Sequence, residues 1–144
     1  MNFFRFSFFL PVVIGYVYVS IVWSNLYSTD TGVFNYFLSL LGPEKVGWLT
    51  NKSIVLCSII LMDIWKNAGF FMVIFLAGLQ NIAAQYYEAA QIDGANRFRL
   101  FRHITLPLLN PTMFFNVIWC SINALQVFDA VYILTQGGPG DASR

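Results

Sequence analysis

The sequence contains little charge for its length. Only 10% of its 144 residues are aspartate, glutamate, lysine or arginine, whereas roughly 25% is usual for a soluble domain. Hydrophobic residues make up 58% of the chain, and its mean hydropathy is +0.64. A formal net charge of +1 provides no broad basic surface, which disfavours nucleic-acid binding. The composition therefore indicates a membrane protein.

Residues that support catalysis or metal binding are also scarce. The sequence has two cysteines, Cys57 and Cys120, both in apolar runs, and His103 is its only histidine. No zinc-type spacing exists, and a disulfide is disfavoured because thiols inside apolar helices act as small packing groups. Paired carboxylates and nucleophile–base pairs are missing at plausible spacings. We therefore expect no metal, no cofactor and no catalytic residue on this chain.

A phosphate-binding loop is missing as well. The glycine-rich segment at 136–140 has neither the lysine nor the serine or threonine that would hold a phosphate and magnesium. The chain is therefore not expected to hydrolyse ATP itself.

Three apolar runs are long enough to cross a bilayer. A core about 30 Å thick needs about 20 apolar residues in a helix, and such runs occupy about 6–27, 54–79 and 108–134. Pro11 and Gly15 interrupt the first run, which transmembrane helices tolerate. A signal peptide is disfavoured there, because the run is too long and no cleavage pattern follows. The expected fold is an all-α, polytopic membrane helix bundle with three transmembrane helices.

The basic residues favour one orientation. The loop at 80–106 contains Arg97, Arg99 and Arg102, and Arg5 precedes the first run, so the positive-inside rule places this loop and the N-terminus in the cytoplasm. The loop at 28–53 is then extracytoplasmic, and its residues 34–41 are expected to form a short interfacial helix.

The cytoplasmic loop has the pattern of a helix, a turn and a second helix. Small residues recur at helical spacing over 83–93, which predicts a short amphipathic helix. Gly94 can end this helix in the left-handed conformation, and Asn96 can cap the next one. Pro107 then interrupts the backbone pattern before the third run.

One motif in this loop identifies a family. Glu88-Ala89-Ala90, Gly94 and Ile104-Thr105-Leu106-Pro107 read as EAA-x3-G-x9-I-x-L-P. This pattern resembles the EAA motif of permease subunits in binding-protein-dependent ATP-binding cassette importers. The resemblance implies that Glu88, Ala89, Ala90 and Gly94 form the coupling helix that contacts a separate ATPase subunit. Without the complete spacing, the loop would read as a solvated connector whose alanines reflect helix propensity.

The resemblance extends over nearly the whole chain and points to the carbohydrate-type branch. The matching segments lie at 10–13, 48–49, 75–80, 128–129 and 134–140. It implies import of sugars or related polar solutes across the inner membrane. The implied partners are ATPase subunits, a second permease subunit, an extracytoplasmic solute-binding protein and membrane lipid.

The family core has about six helices, and this chain resembles the third, fourth and fifth, so we expect a permease segment that lacks the first helices and the last. A truncated, non-transporting remnant and a passive membrane channel remain as alternative functions.

Polar residues inside the predicted spans allow two interpretations. Asp63 and Lys66 have i,i+3 spacing, so they are expected either to pair with each other against neighbouring helices or to line a solute pathway. On the third run, Asn116, Trp119, Asn123 and Gln126 fall within roughly 80° of a helical wheel, and Asp129 lies nearer the outer end. These five residues are candidates for the translocation path. The alternative for the first four is hydrogen bonding between helices, and the alternative for Asp129 is an interfacial acid.

Overall fold

The computed structural model describes residues 2–42, 44–126, 128–135 and 138, and their regular structure is entirely helical. The elements are α1 (Asn2–Val13), α2 (Tyr16–Leu26), α3 (Val33–Leu40), α4 (Val55–Gln80), α5 (Ala84–Ile92), α6 (Arg97–Leu100), a π-helical turn (Phe101–Thr105), α7 (Leu106–Leu108), α8 (Asn110–Leu125) and α9 (Phe128–Thr135). The predicted all-α fold class is confirmed. The helices belong to two compact units, residues 1–69 with 126–144, and residues 70–125.

Among the described helices, α4 alone is long and apolar enough to cross a membrane. Its 26 residues give a length of roughly 39 Å. Two further crossings arise only if each of two bent pairs acts as one span: α1 with α2, bent by 100°, and residues 97–108 with α8, bent by 60°. The three crossings at 6–27, 54–79 and 108–134 therefore remain a prediction.

The first apolar run is two helices, whereas hydropathy predicts one. The break follows Val13, and Gly15 adopts an extended conformation (φ −60°, ψ 147°) as the first boundary residue of α2. Pro11 lies inside α1 and has no N–H to continue the helical hydrogen bonds. The third run is also interrupted, because α8 ends at Leu125 and α9 begins at Phe128.

The core of the first unit lies where α2 packs against α9 and α4. Its buried residues are Val19, Trp23, Tyr27, Val55, Ile59, Met62 and Leu134. The ring of Trp23 lies 5.3 Å from that of Tyr27 and 5.5 Å from that of Trp65. The Tyr27 hydroxyl donates to the Ser58 carbonyl at 2.7 Å. Burying this phenol is favourable because its one polar atom has a partner.

The loop between α2 and α4 is organised by Asn35, which is only 3% exposed. Its amide nitrogen donates to the carbonyls of Thr29 and Val46, at 3.1 and 2.9 Å. Its amide oxygen accepts from the Val46 N–H at 3.0 Å and from the Trp48 indole at 3.2 Å. The predicted helix at 34–41 is present as α3, and Asn35 joins it to the chain that follows.

In the second unit, the end of α4 lies close to the start of α8. A Cβ placed on Gly78 would lie 2.6 Å from Thr112 Oγ1 and 3.0 Å from Leu109 Cδ2. Only glycine permits this approach. Leu109 is buried, and it lies at the bend that separates α7 from α8.

Many large apolar side chains are exposed on this chain. They occur along α1, on α3 and on α8, as at Phe3, Leu40 and Phe114. Contiguous exposed apolar surface is rare on soluble monomers and typical of surfaces that contact lipid or partner subunits. The distribution fits the membrane assignment drawn from composition.

Candidate functional site

The segment that contains the EAA motif folds as a short, exposed helix. α5 spans Ala84–Ile92, close to the predicted 83–93. Glu88 and Ala89 are exposed, while Ala90 is partly buried. Within the described residues Glu88 forms no ion pair. Its carboxylate is therefore available to a cationic group on another protein.

Gly94 ends α5 in the predicted left-handed conformation, with φ at +75°. The Ala95 N–H donates to the Ala90 carbonyl at 2.9 Å, and the Gly94 N–H donates to the Gln91 carbonyl at 3.0 Å. These are the two bonds of a Schellman motif, which satisfies the last carbonyls of a helix. The prediction for this turn is confirmed.

Asn96 caps the next helix, also as predicted. Its side-chain oxygen accepts from the Arg99 N–H at 2.9 Å, which satisfies one of the unpaired amides at the start of α6. The loop is therefore a helix, a defined turn and a second helix, and both helix ends at the turn are hydrogen-bonded.

The second helix of the loop does not continue as a regular α-helix into the third apolar run. After the four residues of α6 the backbone widens into the π turn, where the Leu106 N–H bonds to the Phe101 carbonyl five residues earlier. Pro107 has no N–H for the carbonyl of His103, so the regular i→i−4 pattern is interrupted here. π turns are rare in helices overall, and those that occur are often found at functional sites.

A hydrogen bond connects α5 to this π turn. The Tyr87 hydroxyl lies 3.0 Å from Thr105 Oγ1, and either oxygen can be the donor. Thr105 is only 9% exposed. Sequence reasoning missed this contact, because no local spacing rule links residues 18 positions apart. The one available signal was that Tyr87 shares the less polar face of α5 with Ala83 and Ala90.

The polar residues on α8 differ in their surroundings. Asn116 is 5% exposed, and neither its side-chain nitrogen nor its side-chain oxygen has a hydrogen-bond partner among the described residues. The Trp119 ring is partly exposed and lies 6.1 Å from the Phe115 ring, at an interplanar angle of 19°, and 5.6 Å from the Phe70 ring. The Asn123 amide donates to the Trp119 carbonyl of its own helix at 2.8 Å.

The five candidate path residues do not share one helix. Gln126 lies in the turn after α8, and Asp129 belongs to α9, while its side chain lies outside the described part of the structure. The helical wheel therefore applies only to Asn116, Trp119 and Asn123. Their role in translocation stays a prediction.

The prediction that Asp63 and Lys66 pair with each other is wrong. The Lys66 ammonium donates to the carbonyls of Pro11, Val12 and Ile14, at 3.3, 3.3 and 2.8 Å. The Asp63 carboxylate instead accepts from the Tyr16 hydroxyl at 2.8 Å. The open carbonyls at the end of α1 offer the ammonium several acceptors, which an i,i+3 rule within α4 does not take into account.

Asp63 has a second donor in its own helix. The Asn67 amide donates to Asp63 Oδ1 at 2.9 Å and to the Tyr16 hydroxyl at 2.8 Å. The Lys66 ammonium also lies 4.5 Å from the centre of the Tyr16 ring. Each of the two charges is thus held by several polar groups within the first unit, and neither depends on the other as a direct partner.

Metal-ligating residues do not converge in the part of the chain that the structure describes. No group of three or more histidine, cysteine, aspartate or glutamate side chains there has a geometry that suits a metal ion. Cys57 and Cys120 are exposed free thiols.

Comparison with known proteins gives consistent matches. The family model described as "Binding-protein-dependent transport system inner membrane component" matches residues 1–143. The trehalose/maltose transport system permease protein MalF of Thermococcus litoralis is 46% identical over 121 residues, which cover 84% of this chain and 41% of MalF. The lactose transport system permease protein LacF of Rhizobium radiobacter is 40% identical over 142 residues, which cover 97% of this chain and 47% of LacF.

A solved structure agrees with these relatives. A chain in the crystal structure of a bacterial alginate ABC transporter, in complex with an alginate pentasaccharide-bound periplasmic protein, superposes with a TM-score of 0.86 at 31% sequence identity. The match covers 99% of this chain and 49% of that chain. The chain thus spans about half the length of the relatives it matches. It belongs to the family of inner membrane components of binding-protein-dependent transport systems, which confirms the resemblance and the inner-membrane location inferred from its sequence.

Proposed function

We propose that this chain forms part of the permease of an ATP-binding cassette importer for sugars or related polar solutes. Family membership supports a permease role, and the relatives support the solute class, since they are named as transporters of trehalose and maltose, of lactose and of alginate. ATP hydrolysis then takes place on a separate ATPase subunit. A second permease subunit completes the pathway, and an extracytoplasmic binding protein delivers the solute.

We infer that α5 is the surface on which the ATPase subunit acts. The observation that supports this most is the exposed face at Glu88 and Ala89 on a helix whose end is fixed by a Schellman motif. Alanine side chains permit close approach of a partner, and the Glu88 carboxylate can pair with a cation on it. For ATP binding to move the permease, this contact must differ in free energy between the two states of the transporter.

The candidate pathway is supported by the surroundings of Asn116. A buried amide without partners is costly, by about 1–3 kcal/mol for each unsatisfied group. A solute hydroxyl or a second permease subunit would supply the missing donors and acceptors. Trp119 lies one turn further along α8, and its indole can cover the apolar face of a sugar ring. We therefore retain Asn116, Trp119 and Asn123 as path residues on α8, with Gln126 and Asp129 as the remaining candidates.

The experiment is reconstitution of the assembled transporter with its binding protein, followed by assay of solute uptake and ATPase activity. We expect sugars to stimulate ATP hydrolysis. The Glu88→Lys variant is expected to lower co-purification of the ATPase subunit, whereas Glu44→Lys makes the same charge change at an exposed acid of the other loop and should leave it unchanged. If the Glu88→Lys transporter still assembles and still couples ATP hydrolysis fully to solute uptake, the proposed role of α5 is contradicted. Absence of stimulation by any carbohydrate contradicts the solute class.

A further inference from the structure

The helix α5 is connected to its unit at both ends and near its middle. At its N-terminal end the short segment 81–83 joins it to α4, and the Ile82 N–H donates to the Leu79 carbonyl at 3.3 Å. At its C-terminal end it continues into the turn closed by the Ala95–Ala90 hydrogen bond. Near its middle, the Tyr87 hydroxyl contacts Thr105 Oγ1 at 3.0 Å. A helix held only through its two ends can still rotate about the line that joins them. The attachment near the middle opposes this rotation, so that a displacement of α5 also displaces the residues around Thr105.

Thr105 is joined by backbone hydrogen bonds to the helix that follows. The Leu109 N–H donates to the Thr105 carbonyl at 3.0 Å, and the Met113 N–H donates to the Leu109 carbonyl at 2.9 Å. These bonds span Pro107, cross the bend at Leu109 and enter the first turn of α8. A continuous set of hydrogen bonds therefore runs from the Tyr87 side chain through Thr105 to α8.

The π turn between α6 and α7 makes the Tyr87 contact important. The only covalent route from α5 to α8 passes through this turn, whose hydrogen-bond register is interrupted by Pro107. A wide, irregular turn yields more readily than a regular α-helix when one end is pushed. The Tyr87–Thr105 bond bypasses most of the turn, because it joins α5 directly to its last residue.

We propose that the hydrogen bond between Tyr87 and Thr105 is the contact through which displacement of α5 reaches α8. The inference rests on the proposed coupling function of α5 and adds the route by which the motion enters the transmembrane part. Tyr87 and Thr105 act as positioning residues: neither needs to touch the ATPase subunit or the solute.

The test is a double-mutant cycle on the assembled transporter in proteoliposomes, with solute transported per ATP hydrolysed as the readout. Tyr87→Phe and Thr105→Val each remove one hydroxyl and keep the shape of the side chain. Each should lower the coupling ratio roughly threefold to tenfold, the effect of losing one neutral hydrogen bond, while assembly and basal ATPase activity stay unchanged. Thr105→Val also removes the 3.5 Å hydrogen bond from Thr105 Oγ1 to the Leu100 carbonyl. The double variant should therefore be no worse than the more impaired single variant, because the Tyr87–Thr105 contact is already lost in each.

Two further variants distinguish transmission from a general loss of structure. Thr105→Ser keeps the hydroxyl and should restore coupling close to that of the unmodified transporter. Tyr86→Phe makes the same chemical change at the exposed neighbouring tyrosine and should have no effect.

The outcomes separate this inference from the proposed function. If Glu88→Lys uncouples transport but Tyr87→Phe couples normally, the inference is overturned while the role of α5 stands. Additive losses in the double variant also overturn it, since they show that the two hydroxyls act separately. If Glu88→Lys leaves coupling intact, both the role of α5 and this inference are overturned.

Discussion

The ammonium of Lys66 lies 2.8 Å from the carbonyl oxygen of Ile14, at the break between α1 and α2. The same ammonium also reaches the carbonyls of Pro11 and Val12, and Lys66 is only 4% exposed. The last carbonyls of a helix have no partners within the helix and form the negative end of its dipole. A buried lysine therefore acts as the cap of α1, supplied from a helix more than 50 residues further along the chain.

Removing this cap should destabilise the first unit. Lys66→Met keeps most of the apolar stem and leaves three carbonyls without their donor, so we expect a loss of about 3 kcal/mol in the free energy of unfolding. The midpoint of thermal unfolding of the purified transporter in detergent measures this. Lys52→Met removes an exposed lysine and should change stability by less than about 0.5 kcal/mol. Equal midpoints for the two variants would contradict the capping role.

Close packing next to the cap gives a second prediction. A Cβ on Gly69 would lie 2.6 Å from the Phe8 carbonyl carbon and 2.9 Å from Phe9 Cα, so Gly69→Ala must push α1 and α4 apart. We expect a loss of about 1–3 kcal/mol, as for overpacking in a core. At Gly15 the nearest atom to a new Cβ is a ring carbon of Tyr18 at 3.6 Å, so Gly15→Ala is the matched control and should be the milder change. The same thermal unfolding measurement compares them, and a Gly69→Ala protein as stable as Gly15→Ala would show that the helices do not approach this closely.

Loss of the Asn35 side chain should loosen the loop between α2 and α4. Asn35→Ala leaves the Val46 N–H and the Trp48 indole without their acceptor, and we expect a cost of about 2–4 kcal/mol. Limited proteolysis of the loop reports the change. Asn25→Ala is the control, since its exposed amide bonds only to a carbonyl of its own helix. Equal cleavage rates in the two variants would argue against Asn35 as the organising residue.

Substitutions at Gly94 test whether the conformation of the turn after α5 matters for coupling. Nothing lies within 4 Å of a Cβ built on Gly94, so a substitution there acts through its positive φ and not through a clash. Gly94→Val should cost about 1–2 kcal/mol and disturb coupling, whereas Gly94→Asn should be tolerated better because asparagine enters the left-handed region more readily. Uptake per ATP hydrolysed distinguishes the two variants. Identical coupling in both would mean that the conformation of this turn does not matter for transport.

Local features of the sequence predicted local structure well. Gly94 and Asn96 correctly predicted the end of α5 and the start of α6, because helix caps depend on residues a few positions apart. The central apolar run gave α4 to within one residue at each end. Composition and the EAA pattern together led to the correct family.

Features that depend on distant contacts were not predictable in this way. Hydropathy averages over a window, so it did not show the break at Gly15 or the end of α8 at Leu125. Spacing within α4 allows Lys66 to pair with Asp63 or to line a pathway, whereas the acceptors of its ammonium lie at the end of α1 and in the break that follows. The Tyr87–Thr105 contact likewise joins residues 18 positions apart, which no local spacing rule links.

The most direct measurement of the central claim is cross-linking from α5 itself. In a transporter with the exposed thiols of Cys57 and Cys120 removed, Ala89→Cys places a single thiol on the exposed face of α5, and Glu44→Cys places one on the other loop. With a short thiol-reactive cross-linker, position 89 should attach to the ATPase subunit, and position 44 should not. Attachment of the ATPase subunit from position 44 but not from position 89 would contradict the account.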